Sequence, residues 1–197
     1  MPLRLRLPAL LGVFGLALSG CGASTKSGDG QAAAKSAGTS GAAGRVFADP
    51  RFPFTFSYPK DWGSGNFTYD ASRTAGAEPA ASAAIGIDAD NSVLLTRYNL
   101  SPAVASLALR DQLPELNSVI SRFAGRPYYG QITEVGGHPA VRYEAFVLAD
   151  DAARRNSRVI YLYEGAAQYE LNCQFTPDKR ETMSSGCDQM VSTLRMR

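Results

Sequence analysis

Hydrophobic and polar residues first alternate at Phe52-Pro-Phe-Thr-Phe-Ser-Tyr58. This period of two predicts a strand with Phe52, Phe54, Phe56 and Tyr58 on one buried face. Pro53 lies on the other side and fits the strand's start or an edge position, because it cannot donate to a ladder. Pro59-Lys-Asp-Trp62-Gly63 then turns the chain and puts the only tryptophan at one end of the core. Residues 71–81 carry no period and read as a loop. Residues 84–87 and 92–98 read as strands, parted by the turn formers Asp88, Asp90 and Asn91.

Ser101-Pro102 marks a helix start, since serine can cap free amides and the fixed φ of proline suits the first helical position. Val104, Leu107, Leu113, Leu116, Val119, Ile120 and Phe123 recur at helical spacing up to Gly125. They predict one long amphipathic helix or two, with Pro114 expected to kink or split it near Leu113. Residues 130–135 and 140–148 flank Gly136-Gly137-His138-Pro139, and the glycine pair permits the positive φ of a hairpin turn. In the second of these strands Val141, Tyr143, Ala145 and Val147 alternate with Arg142, Glu144 and Phe146. Residues 158–164 and 168–175 form a second hairpin about Gly165-Ala-Ala. Thr176-Pro177 repeats the cap and proline, and Met183, Cys187, Met190, Val191 and Leu194 line one face of a terminal helix. Strands, helix, four antiparallel strands and helix predict an α+β domain, an antiparallel sheet covered by helices.

The first residues follow a different pattern. Arg4 and Arg6 precede an apolar run from Leu7 to Leu18, which ends in Leu18-Ser19-Gly20-Cys21. The run is far shorter than the roughly 20 residues of a spanning helix and matches a secretory signal. With cysteine directly after the small pair it resembles a bacterial lipobox. Residues 1–20 are then a cleaved signal peptide, and Cys21 is the lipidated first residue of the mature chain. Two or three acyl chains, a palmitate among them, hold a membrane more firmly than the marginal grip of one. The expected location is the extracytoplasmic face of the cell membrane.

Removing that segment takes away Arg4 and Arg6 and no acid, which leaves 18 basic against 18 acidic residues. Nothing in this balance predicts a nucleic acid as partner. Residues 21–45 are almost wholly Gly, Ala, Ser, Thr, Lys and Gln and read as a flexible tether. Its reach is on the order of 25–30 Å. Residues 46–197 remain as one domain, long enough to bury a core without metal or cofactor. Cys173 and Cys187 form an even pair in an oxidising compartment and are expected to bond to each other. Such a loop is worth about 3 kcal/mol.

Phe54-Thr-Phe-Ser-Tyr-Pro-Lys-Asp-Trp62, Val135-Gly-Gly-His-Pro-Ala140, the Tyr-rich hairpin and the short terminal helix together resemble the PsbP-like α/β/α sandwich. The resemblance is in particular to small actinobacterial lipoproteins of the LpqN and LpqT type. It covers about residues 46–197, and its motifs are structural. It implies a noncatalytic envelope domain that acts as a binding or assembly factor, and it carries no catalytic residue over. The Ala-rich loop at residues 71–84 departs from the pattern and leaves the early strand order open.

Candidate chemistry is sparse. His138 is the only histidine, and no Gly-x-Ser-x-Gly elbow accompanies it, so it reads as an exposed turn residue. Asp88, Asp90 and Asn91 lack the glycine and distal glutamate of a calcium loop. Asp150-Asp151 with Arg154-Arg155 reads as a solvated hairpin loop. No enzyme, metal or cofactor is expected. Candidates for binding are Tyr128, Tyr129 and Trp62, since tyrosine and tryptophan combine contact area with a polar tip. The function expected is that of a monomeric interaction or assembly module for an envelope protein. The alternative is a carrier sheltering a lipid or other apolar molecule between sheet and helices.

Overall fold

The computed structural model describes residues 44–65, 79–149, 151–152 and 154–197, all within one unit of the chain, Ser40–Arg197. Cys21, the expected signal peptide, the expected tether up to residue 43 and most of the loop at residues 71–81 lie outside the described residues. Three short strands, β1 (Arg45–Phe47), β2 (Phe54–Tyr58) and β10 (Arg195–Met196), form a small sheet with β2 in its centre. A seven-stranded sheet is built from β3 (Gly63–Ser64), β4 (Ala81–Gly86), β5 (Ser92–Asn99), β6 (Gln131–Val135), β7 (His138–Val147), β8 (Asn156–Glu164) and β9 (Ala167–Phe175). Its spatial order is β3-β4-β5-β9-β8-β7-β6, and every pair in it is antiparallel. The fold is α+β.

β2 and α3 (Arg180–Thr193) together cover one face of the large sheet. The phenylalanines of β2 are buried there as their alternation requires, with Phe47 stacked on Phe56 at 4.8 Å and Phe54 edge-on to Tyr169 at 5.5 Å. β2 begins at Phe54 rather than Phe52. Pro53 supplies no N–H, and Phe52 instead closes a turn by donating to the Asp49 carbonyl at 3.1 Å. Trp62 lies in this core beneath α3 and is only 1% exposed. Gly186 makes room for it, since a Cβ there would collide with the indole ring. Cys173 on β9 and Cys187 on α3 are joined by a disulfide. It ties helix to sheet on this same face.

The opposite face receives α2 (Leu109–Ala124), which buries Leu116 and Ile120 against Val141, Tyr143, Phe146, Val159 and Tyr161. The predicted helix is two, but the break is at residues 106–108 rather than at Pro114. Ser101 caps α1 (Pro102–Ala105) by accepting from the Val104 N–H. Gln112 then spans the break, donating to the carbonyls of Val104 and Leu107 at 3.3 and 3.1 Å. Pro114 stands inside α2 without ending it. Gly125 ends the helix at φ 63°.

Two further expectations change. The alternation of Val141, Tyr143, Ala145 and Val147 does not persist, because a bulge between Tyr143 and Phe146 shifts the register with β8. Phe146 and Leu148 turn inward, while Ala145 and Val147 face solvent. The turn after β8 is the two residues Gly165 and Ala166, since Ala167 already pairs with Glu164.

Candidate functional site

Gly125 in the left-handed region stops α2 and sends the chain out toward β6. The segment that follows, which carries Tyr128 and Tyr129, is pinned by two polar side chains of the helix it leaves. The Ser121 hydroxyl accepts from the Tyr128 N–H at 2.8 Å. Asn117 Oδ1 accepts from the Gly130 N–H at 2.9 Å and from the Tyr143 hydroxyl at 2.8 Å. The bulge in β7 contributes the third anchor. It leaves the carbonyls of Glu144 and Ala145 turned out of the ladder, and the Tyr128 hydroxyl donates to both, at 3.1 and 3.2 Å.

These contacts give the two neighbouring tyrosines different roles. Tyr128 packs its ring on Phe146 at 5.1 Å, lies under the Arg126 guanidinium at 5.7 Å and spends its hydroxyl on the bulge. It is a strut. Tyr129 is 75% exposed on a backbone held at both sides. With Arg126, Tyr128, Gln131, Arg142 and Glu144 it lines an open groove of about 320 Å³ at the sheet's edge. Arg142 and Glu144, two residues apart on β7, form an ion pair in its lining at 3.1 Å. Ile132, on the edge strand β6, is 51% exposed. Trp62 does not join the groove, because its ring is buried under α3 and offers no surface to a partner.

A second cleft, of about 550 Å³, opens where β1 faces β4. Phe47, Ala83, Ala84 and Ile85 form its apolar wall, and Asp49, Arg51, Ser64 and Ser82 its polar one. Arg51 clasps the Asp49 carboxylate through Nε and Nη2, with contacts of 2.6–3.1 Å. Those hydrogen bonds hold the carboxyl below the usual range.

The other groups singled out from the sequence have structural partners. His138 opens β7 rather than sitting exposed in the turn, since Gly136 and Gly137 alone take the positive φ values of 60° and 84°. Its Nδ1 meets Glu164 Oε2 at 2.7 Å across the strand ends. The Asp88 carboxylate accepts from the backbone N–H groups of Asp90 and Asn91, and the Asn91 carboxamide oxygen accepts from the N–H and hydroxyl of Thr176. That loop therefore clamps β5 to the start of the terminal helix. Asp151 is buried rather than solvated, accepting from Arg155 Nε at 2.6 Å; Asp150 lies outside the described residues. Among the described residues no group of three or more His, Cys, Asp or Glu side chains could hold a metal.

Glu170, in the middle of β9, carries no local signal in the sequence. On this part of the second face α2 is absent, and Thr96, Tyr98, Gln168 and Asn172 surround the carboxyl in place of aliphatic residues. Tyr98 donates to Oε2 at 3.3 Å and Asn172 to Oε1 at 3.2 Å. Burial prevails over these two bonds and pushes the carboxyl up to about 7. Burial also raises Tyr161 well above its ordinary value and Tyr163 to about 12.

Comparison with solved structures identifies the fold. The solution structure of cyanobacterial PsbP (CyanoP) from Synechocystis aligns with a TM-score of 0.50 at 12% identity, over 81% of this chain and 96% of that one. A crystal structure from Bacteroides thetaiotaomicron aligns with a TM-score of 0.50 at 14% identity, over 78% of this chain and 48% of that one. The chain thus spans about half the length of the Bacteroides protein. LpqN of Mycobacterium tuberculosis, involved in cell envelope biogenesis, aligns with a TM-score of 0.49 at 12% identity, over 80% and 87% of the two chains. At such identities the likeness is one of architecture, and the architecture is PsbP-like. No protein-family model matches the sequence, and no curated protein does.

Proposed function

We propose that this chain is a lipid-anchored binding module of the cell envelope, tethered through Cys21, which presents the Tyr129 groove to a protein partner and performs no catalytic step. The observation that carries the reading is the exposure of Tyr129 on a pinned backbone. A large, rigid, amphipathic ring that loses little entropy on contact is the kind of residue that anchors protein interfaces. The charge pair at the groove's rim would add orientation more than affinity. The lipobox-like Leu18-Ser19-Gly20-Cys21 supports the tether. The disulfide between β9 and α3 supports an oxidising compartment. No helix among the described residues is long and apolar enough to cross a membrane.

A photo-crosslinking residue at position 129 of the full chain, in its own membrane, is expected to give one dominant protein adduct. The same residue at the distant Lys179 should give none. Equal labelling from both positions would remove the groove as an interface. Cys21→Ser should move the protein from the membrane to the soluble fraction, and retention on the membrane would overturn the anchor. The cleft between β1 and β4 supports a second reading, a carrier of a small amphipathic molecule, since its volume suits a ligand. Mass spectrometry of an organic extract of the purified protein tests that reading.

A further inference from the structure

The geometry points to a binding site for a primary ammonium group on the polar part of the large sheet's second face, with the Glu170 carboxylate and the Thr96 hydroxyl as acceptors. Thr96 and Tyr161 stand directly opposite Glu170 on the strands either side of it. The three side chains therefore form one row on one face. Thr96 is 1% exposed, and its Oγ1 has no hydrogen-bond partner among the described residues. A hydroxyl so buried is costly unless something completes it.

Glu170 is under-satisfied in the same sense. A carboxylate offers about four acceptor positions, and Tyr98 and Asn172 occupy two of them. No Lys, Arg or His among the described residues makes an ion pair with it. The raised carboxyl pKa has the same origin, a desolvated acid without a counter-charge. Glu170 nevertheless keeps part of its surface open, so a ligand could reach it.

An excess of acceptors, a carboxyl that carries its negative charge above about pH 7 and flanking tyrosines select the ligand class. A primary ammonium carries three N–H donors, no acceptor and one positive charge. Tyr98 and Tyr161 beside the carboxyl would add the attraction of aromatic rings for a cation. A neutral sugar hydroxyl would leave the charge uncompensated. A quaternary ammonium would leave Thr96 without a donor.

The test is a calorimetric titration of the full chain in detergent micelles with ethanolamine hydrochloride, against choline chloride and sodium chloride at the same ionic strength. Ethanolamine is expected to saturate with a Kd on the order of millimolar, and choline to bind about tenfold more weakly. Glu170→Gln should weaken ethanolamine binding at least about tenfold, as loss of a charge-assisted bond requires. Thr96→Val, which keeps shape and removes only the hydroxyl, should weaken it several-fold and would decide the matter if the first variant did not fold. Vesicles of phosphatidylcholine with and without phosphatidylethanolamine, mixed with the Cys21→Ser chain, separate the sources. Retention only on the second kind identifies a lipid headgroup, and binding of the free amine without retention identifies a soluble one. Failure of ethanolamine to saturate, or full binding by both variants, would overturn the site.

Discussion

On the face of the large sheet turned toward β2 and α3, nearly every strand contributes an aliphatic or aromatic side chain. The one deeply set charge, Arg158, is paired with Asp188. On the other face the apolar cluster beneath α2 draws on β7 and β8, while β5 and β9 offer mostly polar groups, Thr96, Glu170 and Asn172, with the Tyr98 hydroxyl among them. The first face is closed by a helix, a small sheet and a disulfide, and its burial is what stability rests on. The second is half closed, and its polar groups are either completed by one another or left waiting. Stability thus rests on the first face, while the groups open to a ligand or partner lie on the second face and along the sheet's edges.

Trp62→Ala should produce the largest effect, a loss of about 3–5 kcal/mol read from urea denaturation, because it empties the dry face beneath α3. A loss below about 1 kcal/mol would mean that this face does not dominate stability. Replacing Cys173 and Cys187 together by alanine should cost about 3 kcal/mol. Reduction of the wild type by dithiothreitol should lower the unfolding free energy by a similar amount.

The opposite face should respond to pH. The unfolded carboxyl of Glu170 titrates near its ordinary 4.5 and the folded one at about 7. The folded state therefore holds a proton that the unfolded state has released, and stability falls as pH rises through this window. The groups facing it, Thr96 and Tyr98 on β5, Tyr161 and Tyr163 on β8, and Gln168 and Asn172 on β9, do not change charge there. Glu170→Gln should remove the slope, leaving stability near wild type at about pH 4.5 and raising it by on the order of 1–3 kcal/mol at about pH 8. Denaturation midpoints at the two pH values check this, and parallel pH slopes in variant and wild type would refute it. Smallest of all, Tyr129→Ala should change stability by no more than about 0.5 kcal/mol, since the ring touches little.

The first face and several element ends were largely legible in the sequence. The alternation through Tyr58, the Ser101 cap, the Gly136-Gly137 turn and the terminal helix follow local rules, and even the cysteine pair could be matched by elimination. The second face was not. The period of β7 continues on paper through Ala145 and Val147, and only pairing with β8 reveals the bulge that turns Phe146 inward. Pro114 suggests a break, yet α2 runs through it, and the real gap at residues 106–108 is marked only by the contacts Gln112 makes across it. Of the three aromatic candidates, the sequence could not tell the buried Trp62 and the strut Tyr128 from the exposed Tyr129, because that distinction lies in tertiary hydrogen bonds. Glu170 was hidden for a similar reason. A polar residue at alternate strand positions normally means solvent, and nothing local indicates that its neighbours across the sheet withhold a counter-charge.

The measurement that tests the division of labour most directly combines recognition with stability in one variant. Position 142, which lines the groove together with residue 129, carries a crosslinker in the membrane-bound chain, with Tyr129 either intact or changed to alanine. Loss of the dominant adduct with a Tm within about 1 °C of the parent is the predicted result. An undiminished adduct, or one that disappears only as the protein unfolds, would contradict the account.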